Sequence, residues 1–163
     1  MKQLLDLTQD ELVAWATEHG LPAYRGRQLY AAAFRRLAAS FDEITDLPRD
    51  LRAELAREAS LTPLVVQEEQ RHDAAETEKA LFRMSDGALV EGVLMDYPAE
   101  RGGGRHTVCL STQVGCPLAC SFCATGLQGW TRNLSPGEIA GQVLLFERRL
   151  RGRGARVTNV VYM

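Results

Sequence analysis

Cys109-Leu-Ser-Thr-Gln-Val-Gly-Cys-Pro-Leu-Ala-Cys-Ser-Phe-Cys123 is the stretch on which the reading of this chain turns. It holds all four cysteines of the 163 residues, the last three at Cys116, Cys120 and Cys123 in C-x3-C-x2-C spacing. Three thiolates on one short loop can wrap a single small centre, and they are too crowded for a spread disulfide framework. Soft sulfur donors in threes suit an iron–sulfur cluster. With four irons and three cysteines, one iron stays open to a small molecule. Three other readings compete. Structural zinc would have to use C-x6-C-x3-C-x2-C, whereas zinc sites usually show two separated knuckles. Disulfides go with a secretory signal, and the polar, amphipathic Met1 to Gly20 is not one. Inert buried cysteines are the third reading, although the Gly, Pro and Ser around them suggest a binding loop.

Outward from the loop, Arg105 to Ser111 reads as a strand leading in. Ser135-Pro-Gly-Glu138 is a capping box with Pro at the first helical position. The helix it opens carries Ile139, Val143, Leu144 and Phe146 and runs to about Leu150. Arg151 to Ala155 is a turn, and Arg156 to Met163 is a β-branched strand of the kind buried in parallel sheets. Strand, loop, helix, strand make one βα unit of a larger α/β structure, with the loop at the C-terminal end of its first strand.

Further upstream, Leu64 to Gln70, Glu78 to Met84 and Ala88 to Tyr97 read as strands, and Asp86-Gly87 is a hairpin turn signal. Arg101-Gly-Gly-Gly-Arg105 reads as a flexible loop. The first part is helical. Thr8-Gln-Asp-Glu11 is a capping box, Gly20 ends that helix, a second is expected over Arg25 to Ala39, and a third follows Asp46-Leu47-Pro48. The fold class is α+β to α/β: a three-helix module over 1–62, a β-hairpin extension and loop over 63–104, and the first βαβ portion of a larger α/β domain over 105–163.

Apolar content of 45% and charged content of 25% are ordinary for a globular protein. No apolar run is long enough to span a membrane, and cysteines without an export signal suit the cytoplasm. The net charge of −2 carries no nucleic-acid signature. Six arginines between Arg132 and Arg156 stand against Glu138 and Glu147. Such a cluster binds phosphate well, but a solvated helix face is the more economical reading. His19, His72 and His106 read as surface residues.

The three-cysteine spacing, with the aromatic Phe122 before the third cysteine, resembles the signature of radical S-adenosylmethionine (SAM) enzymes. The flanks narrow this. Ser111-Thr-Gln-Val-Gly-Cys116, Gly126-Leu-Gln-Gly-Trp-Thr-Arg-Asn-Leu134, Ser135-Pro-Gly-Glu-Ile-Ala-Gly-Gln-Val143 and Thr158-Asn-Val-Val-Tyr-Met163 resemble the radical-SAM adenine-C2 RNA methyltransferases of the RlmN/Cfr type, in the RlmN branch. The similarity extends weakly to the N-terminus.

The resemblance implies a [4Fe–4S] cluster on Cys116, Cys120 and Cys123, with the catalytic domain a partial (β/α)6 barrel. It implies SAM as cofactor, held by contacts beyond Met163, and methylation of adenine C2 in 23S rRNA and in tRNA beside the anticodon. The methyl group passes through a cysteine that the family carries beyond the length seen here. Glu91 matches the family's proton acceptor, and Cys109 matches the thiol that resolves the protein–RNA adduct through a transient disulfide. Pattern alone reads Glu91 as a solvent-facing strand residue and Cys109 as a core cysteine. An electron donor for the cluster, a helical domain that contacts RNA and a monomeric state belong to the same expectation. Because Met163 ends a core-type strand with neither cap nor polar tail, the chain is expected to be the N-terminal part of such an enzyme and inactive alone. The alternatives are a non-catalytic iron–sulfur or zinc-binding RNA-contact module, and a radical-SAM enzyme acting on protein or a small molecule.

Overall fold

Residues 1–72, 76–97 and 104–163 are described by the structure, a computed structural model. They fall into two units, Met1–Pro63 and Leu64–Met163.

In the first unit the capping box at Thr8 forms as its sequence demands. The Thr8 hydroxyl accepts from the Glu11 N–H, and the Glu11 carboxylate accepts from the Thr8 N–H at 2.8 Å. These bonds hold the Glu11 carboxyl below its usual pKa. Helix α1 (Gln9–Glu18) buries Leu12, Trp15 and Ala16. The second helix is shorter than its apolar spacing suggests. Regular α-helix α2 covers Ala23–Tyr30, and Ala31–Arg35 continue as a π-helical turn. That turn widens the spiral before Leu37, which takes a positive φ of 62° and ends it. Helix α3 (Arg49–Glu58) follows Pro48. A short parallel pair, β1 (Lys2–Gln3) with β2 (Ala59–Ser60), joins the ends of the unit; two-residue strands leave too little pattern to be read from sequence.

The second unit is built on a five-stranded sheet with a helix on one face. Its strands are β3 (Leu64–His72), β4 (Thr77–Met84), β5 (Leu89–Tyr97), β6 (Arg105–Leu110) and, after the loop region, β9 (Asn159–Tyr162). Their order is β3-β4-β5-β6-β9. The first four pair antiparallel, while β9 runs parallel to β6. Strands from both sides of residue 104 therefore share one sheet. The loop expected over 101–105 lies mostly outside the described residues.

Between β6 and β9 come β7 (Gln113–Gly115), α4 (Ala124–Leu127), β8 (Trp130–Asn133) and α5 (Pro136–Gly152). The parallel β6–α5–β9 unit matches the sequence reading. So does the Ser135 capping box, with Glu138 returning a bond to the Ser135 N–H at 2.8 Å.

Side chains alternate across the strands. Ala80, Phe82, Val90, Leu94, Val108 and Leu110 pack with Phe146 and Leu150 of α5. Phe82 and Phe146 meet edge to face at 5.9 Å. The opposite face carries Lys79, Leu81, Glu91, Val93, Cys109 and Val161, as the pairing register requires. The last strand carries the apolar residues of a buried strand, but Val160, Val161, Tyr162 and Met163 are all exposed.

Candidate functional site

The cysteine loop leaves the C-terminal end of β6. Its two ends are tied together where the Leu134 N–H donates to the Thr112 carbonyl at 2.9 Å. Thr112 also donates its hydroxyl to the Met163 carbonyl at 2.8 Å. Inside that closure β7 and β8 pair antiparallel, a small sheet that the sequence reading took as loop. At three and four residues, interrupted by a register shift between Val114 and Gly115, the pair leaves little alternation to recognise. Gly115 has φ +73°, and a Cβ there would stand 1.8 Å from the Gly129 carbonyl oxygen. That oxygen accepts the Cys116 N–H at 2.9 Å, which anchors the start of the cysteine run.

From Cys116 the chain turns back through Ala119, in the left-handed region at φ +47°. The Cys123 N–H donates to the Cys120 carbonyl at 3.1 Å, and Cys123 precedes the short helix α4. There the N–H groups of Gly126 and Thr125, and the Thr125 hydroxyl, favour the Cys123 thiolate and lower its pKa. All four cysteines are free and partly buried. Among the described residues, no three His, Cys, Asp or Glu side chains converge into a metal-holding group. Cys116, Cys120 and Cys123 thus share a loop without sharing a common point. Their donor chemistry still fits an iron–sulfur cluster: three soft thiols within eight residues, one already favoured as thiolate. Phe122 is 90% exposed, and Leu118, Leu127 and Trp130 of the same stretch are exposed too.

Cys109 and Glu91 lie on the sheet face opposite α5. Cys109 is paired with Val93 on β5 and with Val161 on β9. Glu91 is two residues from Val93, so it is a diagonal neighbour of Cys109 across the ladder. Burial raises the Cys109 thiol pKa, as for a core cysteine and unlike Cys123. Glu91 is exposed and forms an ion pair with Lys79 at 2.9 Å. No disulfide links Cys109 to another described cysteine.

Several polar residues at this site escape a sequence reading. Gln142 of α5 is fully buried. Its Oε1 accepts from the Ser111 N–H at 3.1 Å, and its Nε2 donates to the Ser111 carbonyl at 3.0 Å and the Glu138 carbonyl at 3.3 Å. Ser111 in turn donates its hydroxyl to the Glu91 carbonyl at 2.8 Å. The one available signal was a glutamine among Ile139, Val143 and Phe146. Arg132 pairs with Glu138 through both guanidinium nitrogens, at 2.7 and 2.9 Å, and with Asp86 at 2.7 Å. The two carboxylates raise the Arg132 pKa, and Arg132 lowers that of Asp86.

Three of the other five arginines follow suit. Arg149 pairs with Glu69 and Glu78, Arg151 with Glu147, and Arg153 with Glu78. The cluster is thus largely matched by carboxylates of the fold, which favours the structural reading over phosphate binding. His106 departs from the surface reading as well: its Nδ1 meets Asp96 at 2.8 Å and both side chains are partly buried. No described helix is long and apolar enough to cross a membrane.

Comparison with known proteins agrees with this geometry. Residues 2–61 match the family described as the ribosomal RNA large subunit methyltransferase N-terminal domain. A probable dual-specificity RNA methyltransferase RlmN of Desulfitobacterium hafniense is 45% identical over 161 residues, covering 97% of this chain and 44% of the relative. The Thermotoga neapolitana protein of the same description is 42% identical over 163 residues, covering 100% of this chain and 45% of its own length. The crystal structure of a radical SAM methyltransferase from Sphaerobacter thermophilus superposes with a TM-score of 0.90 at 46% identity, over 99% of this chain and 47% of that one. The chain thus spans a little under half the length of these relatives. Residues 2–61 thus match the N-terminal domain of this methyltransferase family, and the chain is similar over nearly its whole length to part of the RlmN-type RNA methyltransferases and of a radical SAM methyltransferase.

Proposed function

We propose that this chain carries the cluster loop and part of the catalytic face of an RNA methyltransferase that acts on C2 of adenine, in 23S rRNA and in tRNA. The observation that carries the reading is the arrangement at the end of β6. One strand delivers Cys109 to the open sheet face, diagonal to Glu91, and then turns directly into the loop of Cys116, Cys120 and Cys123. Those three thiolates would hold three irons of a [4Fe–4S] cluster. When bound, the cluster and SAM supply reductive cleavage of the cofactor and the radical that opens the C–H chemistry.

The chain's own residues do the rest of what is assigned here. Cys123 is held toward its thiolate form by the start of α4, which readies it as a ligand. Glu91, kept on the exposed face beside Lys79, accepts the adenine C2 proton. Burial disfavours the Cys109 thiolate. As the resolving thiol, Cys109 attacks the sulfur of the methyl-carrying cysteine; the S–CH2 bond to the adenine breaks with its electron pair on carbon, which takes up a proton, and the transient disulfide is then reduced by an external thiol. The first domain contacts RNA, and the partial barrel is completed by the remainder of the fold.

The test is nucleoside mass spectrometry of 23S rRNA and tRNA incubated with SAM, a reductant and the reconstituted enzyme in which this chain is joined to the part carrying the methyl-bearing cysteine. The reading expects 2-methyladenosine, with turnover lost in Glu91→Ala and a trapped protein–RNA adduct in Cys109→Ala. Cluster-loaded protein that cleaves SAM but leaves every adenine unmodified would overturn it.

A further inference from the structure

A buried carboxamide is costly unless its oxygen and nitrogen are both satisfied. Gln142 is 0% exposed, and it spends its bonds on one residue of the loop root. It both accepts the Ser111 N–H and donates to the Ser111 carbonyl, at 3.1 and 3.0 Å. Two bonds exchanged with the N–H and C=O of one residue are what a facing strand residue supplies in an antiparallel ladder. Ser111 needs that substitute, because it lies one residue past Leu110, the last residue of β6.

On the neighbouring strand, a Cβ at Gly92 would stand 2.7 Å from Phe82 Cε2, so the glycine there makes room for the Phe82 ring, and it would meet Gln142 Oε1 only at an ordinary contact distance of 3.5 Å. The peptide that Gln142 grips is also the junction of the site. Ser111 follows Cys109 by two residues, hydrogen-bonds the backbone of Glu91 at 2.8 Å, and opens the segment that runs to Cys116.

We propose that Gln142 is a positioning residue that fixes the register of Glu91 and the root of the cysteine loop, acting through Ser111. The role attributed to Glu91 and the loop rests on the function proposed above; the clamp does not. Its deciding readout therefore needs neither cluster nor RNA.

Hydrogen exchange is measured by mass spectrometry for residues 111–116 in wild type, Gln142→Leu and Gln142→Glu. A Phe146→Leu control weakens the same helix without touching Ser111. Gln142→Leu should speed exchange at 111–116 by about ten-fold or more, while β3 and β4 change no more than in the control. The carboxyl introduced by Gln142→Glu can donate to the Ser111 carbonyl only when protonated. Relative to wild type at the same pH, its exchange at 111–116 should be near normal in acid and should accelerate toward neutral pH. In reconstituted protein, the electron paramagnetic resonance spectrum of the reduced cluster should broaden in Gln142→Leu and stay unchanged in Phe146→Leu. Wild-type exchange at 111–116 in Gln142→Leu overturns the proposal, as does acceleration no greater than in the control. If Gln142→Leu does not fold, the pH dependence of Gln142→Glu decides, and a flat profile overturns it. Failure to methylate RNA, with the exchange pattern as described, would sink the proposed function and leave the clamp standing.

Discussion

Gly115→Ala, set against Gly129→Ala, isolates the contact that starts the cysteine run. Both glycines have φ +73°. An alanine in that conformation costs about 1–2 kcal/mol, offset by about 0.4–1 kcal/mol from the reduced freedom of the unfolded chain. At Gly129 nothing lies within 4 Å of the added Cβ, so the dihedral is the whole cost. At Gly115 the Cβ would stand 1.8 Å from the Gly129 oxygen, which must move. That oxygen holds the Cys116 N–H at 2.9 Å, and losing the bond adds roughly 1 kcal/mol or more. The expectation is about 1 kcal/mol for Gly129→Ala and about 2–3 kcal/mol for Gly115→Ala. For a unit of this size that corresponds to roughly 5 °C and roughly 15 °C in the unfolding midpoint. Thermal unfolding of the metal-free protein by circular dichroism measures both. Equal midpoints for the two variants would refute the claim that the β7–β8 approach depends on a missing side chain at Gly115.

Arg132→Met leaves Glu138, which is largely buried, without its two-pronged partner, and should cost about 2–3 kcal/mol by urea unfolding. Asp86→Asn removes only an exposed partner of the same arginine and should cost under about 1 kcal/mol; the reverse ranking would discredit the network. In the first unit, Arg36 holds the Asp46 carboxyl below its usual pKa. The ionised carboxylate therefore adds stability above about pH 4, which is lost as pH falls through the depressed value. The urea midpoints of wild type and Asp46→Asn should differ near neutrality and converge in strong acid, and a gap that persists there would contradict the assignment.

Much of the second unit was legible because its elements announce themselves locally. Ser135-Pro-Gly-Glu138 builds the cap it spells, and β6 and β9 carry the apolar, β-branched runs of a shared sheet. The cysteine spacing told of soft ligands on one loop without any structure. What stayed hidden depends on partners far apart in sequence. Gln142 reads as a misplaced polar residue until Ser111, 31 positions away, is brought to it. The arginines after Arg132 read as a solvated helix face, and their own stretch does not show that Glu69 and Glu78 of β3 and β4 meet Arg149. The face shared by Glu91 and Cys109 follows from ladder register, which no single strand encodes. The π-helical turn after Tyr30 shortened the expected second helix, because apolar spacing does not distinguish a widened turn from a regular one.

The most direct test of the central claim is anaerobic reconstitution of the chain with iron and sulfide, followed by an absorption spectrum and an iron count. The account predicts brown protein with about four irons per chain. The cluster should be lost in each of Cys116→Ala, Cys120→Ala and Cys123→Ala and kept in Cys109→Ala, since Cys109 belongs to the sheet face and not to the loop. Colourless protein holding one zinc ion would contradict it, as would a cluster that needs Cys109 as much as the other three.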